Sequence, residues 1–419
     1  MNIIDNFITL TKLPHCSKNA DSLFNFLIAY ANEKGYSVET DSAKNILIKK
    51  GRPTLALQAH YDMVCMGKAP NIETHVEEGW MFARDSSLGA DNGMAIAMMM
   101  SLMERGEVLE FLLTSDEEIG LVGASQLNFK LSSKYMLNVD FEDEGIVCIG
   151  CAGGADIVGR KTFGTVEADT FFYEISVTGL AGGHSGVDID KGIPNAIKLL
   201  AEYLSDKKVK VHSFNGGERR NSIPVNASVL LSSSEYLKGD NVVQVKKLDG
   251  AFDVYESQDF LDLLNVFKHG IHDFNDEFNL PDTSINLAIV SFEKGKAQIE
   301  CSSRAMNEEG QKSIDETTLK LFKKYGFMTE IEDKYSSWKP EVNDFTSTVN
   351  EAMTEVFGSS KYEAIHAGLE CGIILERYPK IKFVSIGPNI VFPHSTREKV
   401  ELASVEKTFK VIERLIATL

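Results

Sequence analysis

Five side chains in this sequence share a positional habit that would suit a metal centre. His60 follows the apolar run TLALQA, the acids Glu117 and Glu118 follow EFLLT, Asp140 closes YMLNV, and His394 lies just past FVSIGP. Asp91 sits in GADNG, which opens a helical pattern. In open α/β sheets, ligand sites gather outside the carboxyl ends of the strands. Strand ends would therefore deliver these groups to one edge, an arrangement that packing alone does not demand. Two imidazoles and several carboxylates suit zinc, cobalt or manganese better than a soft metal. With about five ligands, one carboxylate can bridge two ions roughly 3.5–4 Å apart, the spacing of two-metal hydrolases. Asp62, two residues beyond His60, returns to the same side and could orient its imidazole. Adjacent acids cannot point the same way, so one of Glu117 and Glu118 can bind metal while the other handles a proton.

Each piece also has a plainer reading. A histidine after a strand is commonly a satisfied structural residue. The acidic run at 116–118 could be a solvated face, and GADNG could be a turn before a helix. Their joint occurrence on one expected edge favours chemistry.

The elements that must position these groups follow from hydrophobic patterning. A helix is expected over 21–33, with Leu23, Phe24, Leu27, Ile28 and Ala31 on one face and Gly35 as its stop. Apolar runs at 45–48, 54–59, 110–114 and 135–139, with a helix at 92–104, predict a mostly parallel sheet with helices on both faces. Near residue 170 the pattern changes to alternation: Phe171, Tyr173, Ile175 and Val177 against Phe172, Glu174, Ser176 and Thr178. A helix from Pro194, strands at 227–231, 284–292 and 297–301, and helices at 258–274 and 313–325 read as an inserted α+β domain. The last segment returns to the first style, with a buried-type strand at 382–386 and an amphipathic helix at 401–419. The expected organisation is 1–168 and 335–419 as one domain and 169–334 as an insertion.

Composition narrows the class. The 419 residues are 43% hydrophobic and 25% charged, so the chain reads as soluble, globular and large enough for two domains. The net charge of −18 argues against nucleic-acid or anionic-membrane binding, which needs basic patches. The N-terminus lacks the basic start and apolar core of a signal peptide, and no window reaches the apolar run of about 20 residues that spans a bilayer. A cytoplasmic location is expected. The six cysteines show no disulfide-scaffold spacing. Cys148 and Cys151 form a lone C-x-x-C in an acidic setting, which reads as packed, reduced thiols rather than a redox pair or half a zinc ribbon. The serine-hydrolase signature G-x-S-x-G is absent from the sequence.

The stretches LPHCSKN, QAHYDMVC, SLGADNGMAIA, TSDEEIGLVGA, LNVDFEDEG, CAGGAD, TGLAGGHSGVDIDKGIPNAIKLLA, NGGERRNSIP, HAGLECGII and GPNIVFPHSTRE run in this order over nearly the whole chain. Through them the sequence resembles the aminoacyl-histidine (Xaa-His) dipeptidases, a branch of the di-zinc metallopeptidase superfamily that includes carnosinase, peptidase T and aminoacylase. The resemblance implies a zinc-exopeptidase-like catalytic domain with an inserted ferredoxin-like lid. It implies two Zn2+ per subunit, with Co2+ or Mn2+ as possible substitutes, on His60, Asp91, Glu118, Asp140 and His394. Asp91 would bridge the ions and precede a cis peptide at Asp91–Asn92. Glu117 becomes the general base acting on a zinc-bridged water, and Asp62 the orienter of His60. His184 in GGHSG, often supplied across a dimer in related enzymes, and Asn221 would stabilise the oxyanion. Arg304 would receive the substrate carboxylate. Gly368 and Glu370 would line the substrate side, with Glu370 meeting a free amino terminus. The implied activity is hydrolysis of short peptides, most of all Xaa-His dipeptides, by a homodimer joined through the lid. The alternatives are an N-acyl amino-acid amidohydrolase or tripeptidase on the same core, and an inactive binding relative. Two departures stand out: His15 replaces a common arginine, and the lid is shortened around 236–253.

Overall fold

The structure, a computed structural model, describes residues 2–419. The chain divides into two compact units. The first comprises Met1–Gly150, Pro340–Ala364 and Leu369–Leu419; the second comprises Cys151–Lys339 and Ile365–Gly368. The expected boundaries at 168/169 and 334/335 both fall inside the second unit. The reason is the strand Gly153–Thr162, which pairs with Lys296–Ala305 on one side and Met328–Tyr335 on the other. Gly153 and Gly154 at its start give no alternation by which to assign it.

The first unit is built on an eight-stranded sheet. Its order is Ser37–Thr40, Ile46–Lys49, Glu110–Thr114, Leu55–His60, Tyr135–Asn138, Lys382–Ser385, Ile146–Cys151 and Lys361–Ile365. The central four strands run parallel to one another. Ser37–Thr40 with Ile46–Lys49, Ile46–Lys49 with Glu110–Thr114, and Lys382–Ser385 with Ile146–Cys151 pair antiparallel, and the whole of the second unit's sheet is antiparallel, which corrects the expectation of a mostly parallel fold. Parallel neighbours need a crossover of a dozen or more residues. Ser37–Thr40 and Ile46–Lys49 are joined by a short loop and pair antiparallel. Every residue of Leu55–His60, Glu110–Thr114 and Tyr135–Asn138 is buried, which accounts for their near-continuous apolar runs. The helix Ala90–Arg105 is buried from Asn92 through Met103, so its Met-rich stretch has no polar face to show.

A separate four-stranded sheet orders Ile390–Val391, Lys399–Glu401, Trp80–Ala83 and Thr74–Glu77. Its first two strands pair antiparallel and enclose the loop that carries His394. His394 is thus held by a hairpin, not by the end of the strand Lys382–Ser385.

The second unit has an eleven-stranded antiparallel sheet. Its main path is Gln244–Leu248, Phe171–Val177, Ala227–Ser233, Val209–Gly216, Leu280–Glu293, Lys296–Ala305, Gly153–Thr162 and Met328–Tyr335. Helices Ala196–Leu204, Gln258–Val266 and Glu308–Lys324 share one apolar core with it, including Leu200, Phe214, Phe260, Phe292, Ile314 and Phe322. The expected helix at 258–274 stops at Val266. Phe267 turns extended, Gly270 takes φ of 99°, and Gly270–Asn275 continues as a strand. Among the described residues, no helix is long and apolar enough to cross a membrane.

Candidate functional site

The parallel strands Leu55–His60, Glu110–Thr114 and Tyr135–Asn138 share a direction, so the residues after them emerge on one edge. His60 ends the first, Glu117 and Glu118 form a single 3-10 turn after the second, and Asp140 follows the third. Asp91 lies in the first turn of Ala90–Arg105, and the Asp91–Asn92 peptide is cis. The Asp91 carboxylate faces two imidazoles at once. Its Oδ1 is 3.0 Å from His60 Nε2, and its Oδ2 is 3.0 Å from His394 Nε2. Asp140 Oδ1 lies 3.4 Å from His60 Nε2, and Glu118 Oε2 lies 2.9 Å from His394 Nε2. His60, Asp91 and Asp140 form one group able to hold a cation; Asp91, Glu118 and His394 form a second, and the two share Asp91. His60, Glu117 and Glu118 form a third such group.

The neighbouring groups fix these candidate ligands. His60 Nδ1 donates to the main-chain carbonyl of Asp62 at 3.0 Å, while the Asp62 carboxylate is farther, at 3.6 Å. That bond leaves the Nε2 lone pair facing Asp91 and Asp140. The Asp62 carboxylate instead accepts from Ser17 Oγ at 2.7 Å and from the Glu117 and Glu118 amides at 2.9 and 3.4 Å. It therefore fixes the Glu117–Glu118 turn as much as the histidine. Asn92 donates to the Asp140 carboxylate and to Val139 O at 2.8 Å.

Two features of this region had no counterpart in the sequence reading. Glu398, 2% exposed, accepts from four successive amides: Leu88 at 2.7 Å, Gly89 at 3.0 Å, Ala90 at 2.8 Å and Asp91 at 3.3 Å. It lies four residues after His394, so one carboxylate ties the His394 loop to the turn presenting Asp91. The available signal was an acid in HSTRE, just past a candidate ligand. The second feature is a Cys16–Cys65 disulfide, which the scattered cysteine spacing did not signal. The His15–Ser17 loop runs beside Met63, with Met63 N donating to His15 O and Ser17 N to Met63 O. A sequence separation of 49 residues gives no hint of that approach. Cys148 and Cys151 are buried and take no part in a disulfide.

Electrostatics show what this region could hold. Burial raises Glu117 well above the usual carboxylate range, and Glu118, Asp140 and Glu370 raise it further against the pull of His60. Burial and Asp91 likewise raise Glu118, and burial with Asp91 and Asp140 pushes Glu142 up to about 9. Burial alone would lower His394, but Asp91 and Glu118 carry it up to about 11. His60 is raised against burial chiefly by Asp140. Asp91 is held low despite burial by its two imidazoles. The buried Glu118 Oε1 has no hydrogen-bond partner. So much converging negative charge, with an orphaned carboxylate oxygen, fits a site for divalent cations.

Glu370 belongs to the same unit and is fully buried. Its Oε2 accepts from Gln58 at 2.5 Å and Thr114 at 2.7 Å, its Oε1 is unpartnered, and burial pushes it up to about 7.

The remaining candidates lie in the second unit, with His184, Asn221 and Arg304 next to Ser185 and Gly368 against Tyr335. The segment Gly183–His184 pairs with Ser222–Ile223, and Ser185 N donates to Asn221 O at 2.9 Å. The exposed Asn221 thus flanks His184. His184 Nδ1 accepts from the Gly186 and Val187 amides at 3.2 and 3.3 Å, which places its ring proton on Nε2. Arg304 is 6% exposed; its guanidinium meets Tyr335 Oη at 2.8 Å and Ser185 Oγ at 3.5 Å, and its Nε has no partner. Gly368 lies against the Tyr335 ring. His366 is buried beside them with Nε2 2.7 Å from Ser284 Oγ; burial and the Arg304 charge lower it to about 3. Neither Tyr335 nor His366 was singled out from sequence.

A mixed α/β unit presenting carboxylates and imidazoles from strand ends and a helix start defines a candidate two-metal hydrolase. The model of peptidase family M20/M25/M40 matches residues 56–418, and the chain belongs to that family. It is 32% identical to the cytosol non-specific dipeptidase of Escherichia coli (strain K12), over 98% of this chain and 96% of the relative. The crystal structure of aminoacylhistidine dipeptidase from Vibrio alginolyticus superposes with a TM-score of 0.84 at 28% identity, covering 100% of this chain and 96% of the other. A tripeptidase structure from Staphylococcus aureus gives a TM-score of 0.62 at 17% identity, covering 99% and 98%, and shares the fold.

Proposed function

We propose that this chain is a dinuclear metal-dependent dipeptidase, acting on dipeptides with a preference for histidine in second place. One observation carries the reading: the two oxygens of Asp91 each face a different imidazole, with Asp140 and Glu118 completing the two sides. His60 and Asp140 would hold one cation, Glu118 and His394 the other, and Asp91 both. When bound, zinc (or cobalt or manganese) would supply Lewis acidity and bring a water's pKa toward neutrality.

Glu117 is the proton carrier. Burial keeps its carboxyl basic enough to take a proton from water and return it to the departing amine. Asp62 fixes the amide of Glu117 and so the direction of that carboxyl. His184 Nε2–H and Asn221 supply donors for the oxyanion, Arg304 pairs with the substrate carboxylate, Gly368 lines its approach, and Glu370 meets the amino terminus. We read the second unit as a lid that also joins a homodimer, and the location as cytoplasmic. Support comes from the family, from the names of the two relatives that align over nearly their full length, and from the net charge of −18.

The test is chelation followed by a panel assayed with zinc, manganese and cobalt: alanyl-histidine, β-alanyl-histidine, dipeptides without histidine, a tripeptide and an N-acetyl amino acid. Restored cleavage of dipeptides, but not of the N-acetyl compound, is expected. Failure of all three metals to restore any dipeptide cleavage would sink the reading. Preferential cleavage of the N-acetyl compound would move it to an amidohydrolase.

A further inference from the structure

Arg304, Gly154 and Tyr335 occupy one level of three adjacent strands. Gly154 is the register partner of Arg304 on Lys296–Ala305 and of Tyr335 on Met328–Tyr335. Residues directly opposite in antiparallel strands share a face, so Arg304 and Tyr335 stand on the same side of the sheet with glycine between them. Strands lie about 4.8 Å apart, so two side chains separated by a whole strand meet only if the middle position is bare. Here they meet: Arg304 Nη1 donates to Tyr335 Oη at 2.8 Å. A Cβ on Gly154 would stand 2.5 Å from that oxygen and 2.7 Å from the adjoining ring carbon.

Two further features aim the tyrosine. The register shifts between Glu332 and Tyr335, and Asp333 takes φ of 47°, so a bulge resets the direction of the strand end just before Tyr335. On the ring's flank, a Cβ on Gly368 would come within 2.8 Å of Tyr335 Cε2. The ring therefore lies in a slot that neither glycine could vacate with a side chain. Among the described residues Arg304 has no carboxylate partner; its Ser185 contact is at the limit of a hydrogen bond and Nε has none. The guanidinium is held by its Tyr335 end and keeps donors for a planar acceptor.

We propose that Tyr335 is a positioning residue for substrate specificity: across the gap at Gly154 it holds Arg304 in the orientation that receives the free α-carboxylate of the dipeptide. The inference rests on the reading of Arg304 given above, and it assigns Gly154 and Tyr335 to one device. The tyrosine itself touches no reacting atom. Its effect is on how often the guanidinium points correctly, which affects binding of an acid terminus and leaves the chemical step alone.

The experiment compares alanyl-histidine with its C-terminal amide, in metal-loaded wild-type protein and in Tyr335→Phe, Gly154→Ala and Arg304→Met, each checked for a native circular-dichroism spectrum. Removing the tyrosine hydroxyl should raise KM for the acid about tenfold, the scale of a hydrogen bond to a charged group, with kcat within about twofold. KM for the amide should stay unchanged. Gly154→Ala should reproduce this acid-selective loss by crowding the hydroxyl, and it decides the matter should Tyr335→Phe fail to fold. Equal effects on acid and amide, or none, in a folded Tyr335→Phe would overturn the proposal. An Arg304→Met enzyme that still distinguishes acid from amide would overturn the reading of Arg304 itself, and with it this inference.

Discussion

The two units treat histidine in opposite ways. In the first, His60 and His394 sit among Asp91, Glu118 and Asp140, and both are raised in spite of burial. In the second, burial lowers His366 to about 3, with Arg304 adding to it, and burial with Lys198 lowers His269 to about 4. One unit concentrates buried negative charge around paired imidazoles. The other lowers His366 beside a largely uncommitted Arg304 guanidinium, and His269 beside Lys198. The contrast teaches that the same residue type meets two electrostatic settings: raised among buried carboxylates in one unit, and lowered by burial near a positive group in the other.

That division can be broken by substitution. Glu117→Gln should lower kcat by roughly 10²–10⁴ while the bound metal, counted by elemental analysis, stays at the wild-type level. Unchanged turnover would remove Glu117 from the proton path. Glu398→Ala should weaken metal affinity about 10–100-fold, read by competition with a chromophoric chelator. Glu398→Gln should do no better, because both oxygens accept from amides and an NH₂ would face N–H donors. Full affinity in either variant would show the clamp to be dispensable. In the other unit, Arg304→Met should raise KM for free-acid dipeptides about tenfold or more with metal content untouched. Loss of metal there would erase the distinction between the units.

The smallest effect is on acid stability. His269 and His366 have folded values below the ordinary 6.5, so unfolding takes up protons once the pH falls under 6.5. Their contribution is complete above that pH and is lost as it falls toward 4 and 3, by up to about 1.4 kcal/mol per pH unit for each imidazole. Urea unfolding of metal-loaded protein between pH 7 and 5 should show a shallower loss in His366→Gln than in wild type. Identical slopes would mean that His366 takes up protons in the native state.

Much of the first unit's site was legible because polar residues ending apolar runs stand out: His60 after LALQA, Asp140 after MLNV. Strand direction was not, since a buried apolar run looks the same in either orientation. Glu398 sits in a run of charged residues and reads as solvated until the four amides it accepts from are seen. Met328–Tyr335 is exposed along most of its length, so MTEIEDKY carries no alternation to betray a strand, and its last residue no sign of a partner. Gly154 was invisible for a different reason: its contribution is an absent side chain, which has meaning only once the neighbours on both sides are known.

The order of the first unit's sheet also governs when the protein can begin to work. Lys382–Ser385 lies between Tyr135–Asn138 and Ile146–Cys151, yet residues 151–339 are translated before it. At about 5–20 residues per second, the buried edge of Tyr135–Asn138 waits on the order of ten to fifty seconds for its neighbour. During that time neither His394 nor Glu398 exists. A nascent chain therefore carries four of the five proposed ligands and an open strand edge, and the proposed site is complete only once residues 394–398 have been made.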